Sequence, residues 1–177
     1  EPVCKLLGGQ RAESVRAYAS GGIDWRFVDE PGRLVAEAEG YLEAGFTAFK
    51  FRIGPDARFP AAVEALHEAV GDEMDLIVEG NARFRNPQGA VRMAEELRAF
   101  DPRWFEEPID TTDLEGYREL RRALPDVRIT GGESKDRLGE FVDWIDARAY
   151  SVVQPDCNVT GISEAKRIAD RARTERL

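Results

Sequence analysis

Three short apolar runs in this chain end in a glutamate, and they recur at one interval. The runs are Leu76-Ile77-Val78-Glu79, Arg103-Trp104-Phe105-Glu106 and Ile129-Thr130-Gly131-Gly132-Glu133. Glu79 to Glu106 is 27 residues (106 − 79), and so is Glu106 to Glu133 (133 − 106). A strand, a helix and two short loops fill about that length. Each glutamate is therefore expected at the C-terminal end of a successive parallel strand, and in a β/α barrel those ends share one active-site mouth. Three carboxylates converging there repel one another unless a cation holds them, and a hard, oxygen-seeking ion such as Mg²⁺ suits an all-carboxylate site. Glu79, Glu106 and Glu133 thus read as metal ligands.

The rest of the chain repeats the same unit. Strands are expected over Val15–Ser20, Thr47–Arg52, Asp75–Glu79, Arg103–Glu106, Val127–Thr130 and Tyr150–Gln154. Helical patterns lie between them: Arg33–Ala44, Pro60–Val70 closed by Gly71, Pro87–Phe100, Leu114–Leu124 stopped by Pro125, Leu138–Ile145, and one opening near Ile162. Leu34, Ala38, Tyr41 and Leu42 form the apolar side of the first of these helices. Six strand–helix units with no hairpin signal predict a parallel sheet with helices outside it. A doubly wound open sheet is the alternative. The turn after the first strand, Ser20-Gly21-Gly22-Ile23, carries no G-x-G-x-x-G phosphate turn, and acids on consecutive strand ends favour the (β/α)8 barrel of the TIM type. Eight strands and about 250 residues make a whole barrel. Residues 1–177 are thus expected to be one partial barrel domain, a segment of a larger polypeptide.

Composition narrows the function classes. Hydrophobic residues make up 42% and charged residues 33%, as in a water-soluble globular protein. No apolar stretch approaches the roughly 18 residues of a membrane span. The net charge of −9 disfavours nucleic acid and anionic membrane as partners. Cys4 and Cys157 are far apart and form no C-x-x-C pair, which fits free thiols in a reducing, cytoplasmic setting. The single histidine, His67, falls within a helical stretch on the outside of the barrel, the place of an ordinary packing or surface residue.

Three further charged positions stand at expected strand ends. Lys50 and Arg52 alternate onto one face of the second strand. They are either two cations beside the acids or two solvated charges on an edge. Asp156, in Gln154-Pro155-Asp156, lies one unit beyond Glu133; taken alone, an aspartate after proline is a common turn residue. Of the adjacent pair Glu106-Glu107 only one can enter the mouth. Spacing chooses Glu106 and sends Glu107 toward the helix layer or the next loop.

Together these motifs resemble the enolase superfamily, in its mandelate racemase and muconate lactonizing enzyme-like branch. The matching segments are Val78-Glu79-Gly80-Asn81, Trp104-Phe105-Glu106-Glu107-Pro108 and Gly132-Glu133-Ser134 for the three metal-binding acids. Lys50-Phe51-Arg52 matches the family's K-x-K pair, and Gln154-Pro155-Asp156 its aspartate after the sixth strand. The resemblance implies Mg²⁺ on Glu79, Glu106 and Glu133, and removal of the proton α to a carboxylate to give an enediolate. It also implies that Asp156 orients a histidine base. Two departures bear on the chemistry. The first ligand is glutamate where the family usually has aspartate, and Arg52 replaces the second lysine, the family's base on one face of the substrate. Arginine stays protonated and is a poor base.

A one-base reaction, dehydration of a hydroxy or sugar acid, is thus the expected activity. Racemisation or epimerisation, cycloisomerisation, and a catalytically inactive fragment are the alternatives. The substrate is expected to be a small carboxylate. The family's capping domain and the histidine partner of Asp156 lie outside these residues, so the isolated chain is expected to be inactive. Open sheet edges make a homo-oligomer the expected assembly.

Overall fold

The structure is a computed structural model that describes residues 1–10 and 12–177. A short helix, α1 (Val3–Leu6), precedes a six-stranded parallel sheet. Its strands are β1 (Ala19–Gly21), β2 (Ala48–Arg52), β3 (Asp75–Glu79), β4 (Phe105–Glu106), β5 (Ile129–Gly131) and β6 (Val152–Val153). Helices α2 (Gly32–Glu43), α3 (Phe59–Val70), α4 (Pro87–Leu97), α5 (Leu114–Ala123), α6 (Leu138–Asp146) and α7 (Cys157–Thr174) follow them in turn. The strand order is the chain order, β1 through β6, with no reversal. That is barrel order and not the order of a doubly wound sheet. Among the described residues no helix is long and apolar enough to cross a membrane.

Local chemistry explains where the helices start. Asn86 caps α4 by accepting from the Gly89 amide at 2.9 Å, and Pro87 takes the first turn, where its missing N–H costs nothing. Asp113 caps α5 by accepting from Gly116 N at 2.8 Å. Asp156 caps α7 by accepting from Asn158 N at 2.7 Å. Gly161 breaks that helix with φ 74°, so its regular part opens at Ile162, as the sequence pattern predicts.

The main core lies between sheet and helices. On β2, Phe49 and Phe51 are fully buried toward the helix layer, where the Tyr41 ring of α2 meets Phe49 at 5.4 Å between centroids. Lys50 and Arg52 take the other face, as alternation requires. Each buried phenylalanine or leucine of this layer contributes about 1.5–3 kcal/mol. Leu34 and Ala38 of α2 are buried, with Tyr41 and Leu42 packed against the core. His67 packs on the Phe100 ring at 5.6 Å and has no site role. Both cysteines are free and exposed.

β3 spans Asp75–Glu79 as the sequence pattern predicts, and the other strands are shorter than expected. The first begins at Ala19, not Val15: Val15 is 87% exposed, and Arg16 turns its guanidinium to Asp75 and Thr47. β1 has one neighbour, β2, so nothing draws the earlier residues into a ladder. Regular β4 is confined to Phe105–Glu106, although Arg103 N and Trp104 O still bond to β3. β5 is displaced two residues from the expected start at Val127, and β6 keeps its regular part to Val152–Val153.

Candidate metal centre

The strand register sets the site. Arg52 of β2 pairs with Glu79 of β3, Glu79 with Glu106 of β4, and Glu106 with Thr130 of β5. Glu79 and Glu106 are therefore side by side at one rim, 4% and 2% exposed. Two buried like charges need compensation, and Lys50 supplies it. Its Nζ is 2.5 Å from Glu106 Oε1 and 3.4 Å from Glu79 Oε2. Arg52 Nε adds a contact to the same Glu79 oxygen at 3.4 Å. Burial alone lowers the pKa of Lys50, but its bond to Glu106 and the charges of Glu106 and Glu79 outweigh that and hold it above the usual lysine value. Lys50 is thus an ammonium ion.

Three residues that the motif reading left without a role complete the interior. Trp104 Nε1 donates to Glu106 Oε2 at 3.1 Å, and Gln154 Nε2 donates to the same oxygen at 2.7 Å. Tyr18, exposed at the wall of a recess lined also by Lys50, Trp104 and Glu106, sets its ring edge-on to Trp104 at 5.7 Å and 5.8 Å from Lys50 Nζ. The Tyr18 phenol is pushed up, chiefly by burial; Lys50 opposes this, and Glu106, Glu133 and Glu79 add to it. All three acids therefore act on one hydroxyl. Alternation carried the signal for two of these residues. Trp104 is two before Glu106, and Gln154 two before Asp156, so each shares a face with a predicted site residue.

Glu133 and Asp156 stand differently. Glu133 lies two residues past the end of β5, exposed, on a turn made by Gly132 at φ 111°. A Cβ at Gly132 would meet the Phe141 ring at 2.6 Å, so both backbone angle and space demand glycine. The β5 residue level with Glu106 is Thr130, and equal intervals along the chain did not give equal heights in the sheet. Glu133 and Asp156 nevertheless line one recess with Lys50, Glu106 and Gln154. Asp156 is half-buried there and at the same time caps α7.

Glu107 leaves the mouth, as strand alternation predicts. Its carboxylate accepts from Gly132 N at 3.2 Å and so braces the turn that carries Glu133. Burial, foremost, raises its pKa; the Gly132 bond opposes this, and Glu133, Glu106 and Glu79 reinforce it. Left-handed non-glycine residues crowd the same rim. Asn81 and Ala82 follow Glu79 with φ 46° and 57°, and Glu107 has φ 37°. Such strain costs on the order of 1–3 kcal/mol per residue and gathers where a loop must be held for function.

The donor set fits a hard divalent cation. All candidate ligands offer carboxylate oxygens, and two of them already share one cation, the Lys50 ammonium. Among the described residues no three acids are drawn to a single point: Glu79 and Glu106 are buried, whereas Glu133 is exposed at the rim of the recess it shares with Glu106.

Known proteins are similar to this chain in sequence and fold. Residues 33–177 match the family model described as enolase C-terminal domain-like. The chain is 32% identical to D-gluconate dehydratase of Thermoproteus tenax over 95% of its own length and 35% of that protein's. It is 34% identical to D-galactarolactone cycloisomerase of Agrobacterium fabrum, over 96% of its length and 45% of the relative's. It thus spans less than half of these curated relatives. Among solved structures, a racemase from Streptomyces coelicolor A3(2) with bound magnesium superposes with a TM-score of 0.91 at 32% identity, over 99% of this chain and 52% of that one. The 3,6-anhydro-D-galactonate cycloisomerase of Zobellia galactanivorans superposes at 0.89 with 31% identity, over 99% and 48%. Sheet order, rim chemistry and these matches agree: the chain belongs to the enolase superfamily, in its mandelate racemase and muconate lactonizing enzyme-like branch, as part of the barrel domain.

Proposed function

We propose that this chain forms the metal side of an enzyme that removes the proton α to the carboxylate of a hydroxy or sugar acid and then expels the β-hydroxyl. The observation that carries the reading is the Lys50 ammonium lodged between Glu79 and Glu106 on adjacent strand ends, with Arg52 beside it. Three carboxylates and two cations leave the cluster one charge negative. A Mg²⁺ ion held by Glu79, Glu106 and Glu133 would make it one charge positive, the sign that holds a carboxylate and spreads the charge of its enediolate.

Within that frame each side chain has a task. Lys50 is held protonated by its acid neighbours and acts as a clamp on the substrate carboxylate. Arg52 cannot readily accept a proton, so it shares the charge that develops on the enediolate. The α-proton leaves on the opposite side, toward a base oriented by Asp156. The electron pair of the broken C–H bond moves into the carboxylate, then returns to expel the β-hydroxyl, which departs as water with the proton that the base gives back. The enol that remains tautomerises to a 2-oxo acid. Relatives named as sugar-acid dehydratases support this outcome. Relatives named as cycloisomerases favour a second reading, in which the same proton abstraction precedes loss or capture of a ring oxygen.

The test is α-proton exchange and 2-oxo acid formation in deuterated water, with a panel of aldonic and aldaric acids and Mg²⁺, in the full-length protein. Exchange and dehydration that vanish with chelator, and vanish in Lys50→Met, are expected. Turnover that persists in chelator would overturn the metal reading.

A further inference from the structure

We infer that Gln154 is a positioning residue for Glu106: it fixes which carboxylate oxygen is left for the cation. The inference rests on the metal reading above. Glu106 is 2% exposed, and its two oxygens have different partners. Oε1 faces the Lys50 ammonium at 2.5 Å, whereas Oε2 accepts two neutral N–H bonds, from Gln154 at 2.7 Å and from Trp104 at 3.1 Å. An oxygen holding two neutral donors is poorly placed to bind a metal ion as well, so Oε1, held in the metal-free protein by the Lys50 ammonium, is the ligand atom a metal ion would take in place of that ammonium. Hydrogen-bonded neighbours of metal-ligating carboxylates act in this way generally.

Two further observations separate Gln154 from an ordinary packing residue. β5 lies between β4 and β6 in the sheet, so the Gln154–Glu106 bond reaches across a strand. It ties the end of β6, two residues before Asp156, to the metal side of the mouth. The amide orientation is also forced. Turning Gln154 over would set its carbonyl oxygen against a carboxylate oxygen. In the orientation observed, that carbonyl is buried without a hydrogen-bond partner among the described residues. Side chains chosen for stability alone seldom leave an acceptor unpaired.

The test is Mn²⁺ binding to the protein, followed by calorimetry and by loss of the free-ion EPR signal, together with melting in the absence of metal. Gln154→Leu keeps the bulk and removes the donor. It should weaken Mn²⁺ binding about 10- to 100-fold, with an unchanged metal-free melting temperature, which a merely structural residue would shift instead. Trp104→Phe removes the other donor to the same oxygen and should weaken binding in the same direction; it decides the matter if the leucine variant does not fold. Binding within twofold of the parent in a folded Gln154→Leu, or in Trp104→Phe when that variant decides, would overturn the inference and leave the metal reading intact. A parent protein that takes up no Mn²⁺ would overturn the metal reading, and this inference with it.

Discussion

The two sides of the mouth are built to different standards. On the β2–β4 side, Lys50, Glu79 and Glu106 are strand residues in register, buried, and joined by ion pairs at 2.5 and 3.4 Å. On the β5–β6 side, Glu133 lies beyond its strand and is exposed, and Asp156 caps α7, its Oδ1 accepting from the backbone and side-chain amides of Asn158. One side is a rigid electrostatic cradle. The other is made of loop residues that Gly132 and Glu107 hold at the rim. A cation that takes all three acids would join the buried pair on the strands to an exposed carboxylate on a turn braced by Glu107.

The largest expected effect falls on the loop side, where the chemistry rather than the fold is at stake. Asp156→Asn keeps shape and capping ability but loses the charge that, in the proposed function, orients a base. In the full-length enzyme, turnover should fall by about 10⁴-fold, as when an analogous orienting aspartate is replaced, with little change in melting temperature. Steady-state rates together with thermal melts check this; near-normal turnover would assign the base to the Lys50 side. Next comes the cradle itself. Lys50→Met removes the ammonium that Glu79 and Glu106 share, leaving Glu79 with Arg52 and Glu106 with neutral donors only, and should cost about 3–5 kcal/mol of metal-free stability. Saturating Mg²⁺ should restore much of it by replacing the lost charge. Urea unfolding with and without Mg²⁺ measures both numbers.

The contrast also marks what the sequence made legible. Six parallel strands in chain order, and a shared rim for Lys50, Arg52, Glu79 and Glu106, follow from apolar alternation and from acids placed at run ends. The departure of Glu107 from the mouth follows from the same alternation. Strand starts were less legible. Val15 and Tyr18 read as strand by residue type, yet ladder formation at β1 depends on how far β2 extends alongside, which only tertiary structure decides. The interval of 27 residues misled on height. It counts strand, helix and loop residues together, whereas the step between register partners shortens from 27 residues (Glu79 to Glu106) to 24 (130 − 106), so Thr130 takes the level that spacing gave to Glu133. Trp104 and Gln154 were visible as face-mates of predicted residues, but their bonds to one oxygen of Glu106 needed coordinates.

Smaller effects sharpen the comparison on the loop side. Gly132→Ala forces a Cβ into φ 111° and onto the Phe141 ring. It should cost about 1–3 kcal/mol and displace the Glu133 turn, so Mg²⁺ affinity should fall along with the melting temperature. A variant of normal stability and affinity would show that the turn is not held as observed.

The smallest effect on the fold is expected at Glu133, and it divides the two sides most cleanly. Glu133→Gln alters an exposed carboxylate on a turn, so metal-free stability should change by less than about 0.5 kcal/mol. The equivalent change at Glu79 removes a buried acid that pairs with both Lys50 and Arg52, and should destabilise the metal-free protein by well over 1 kcal/mol. With Mg²⁺ the order closes up: both variants should lose the metal-induced rise in melting temperature, because each lacks one ligand of the same ion. Melting each variant across a Mg²⁺ titration separates the roles. If Glu133→Gln keeps the full metal-induced rise, the ion is held from the cradle side alone, and the third glutamate of the repeat belongs to the loop rather than to the metal.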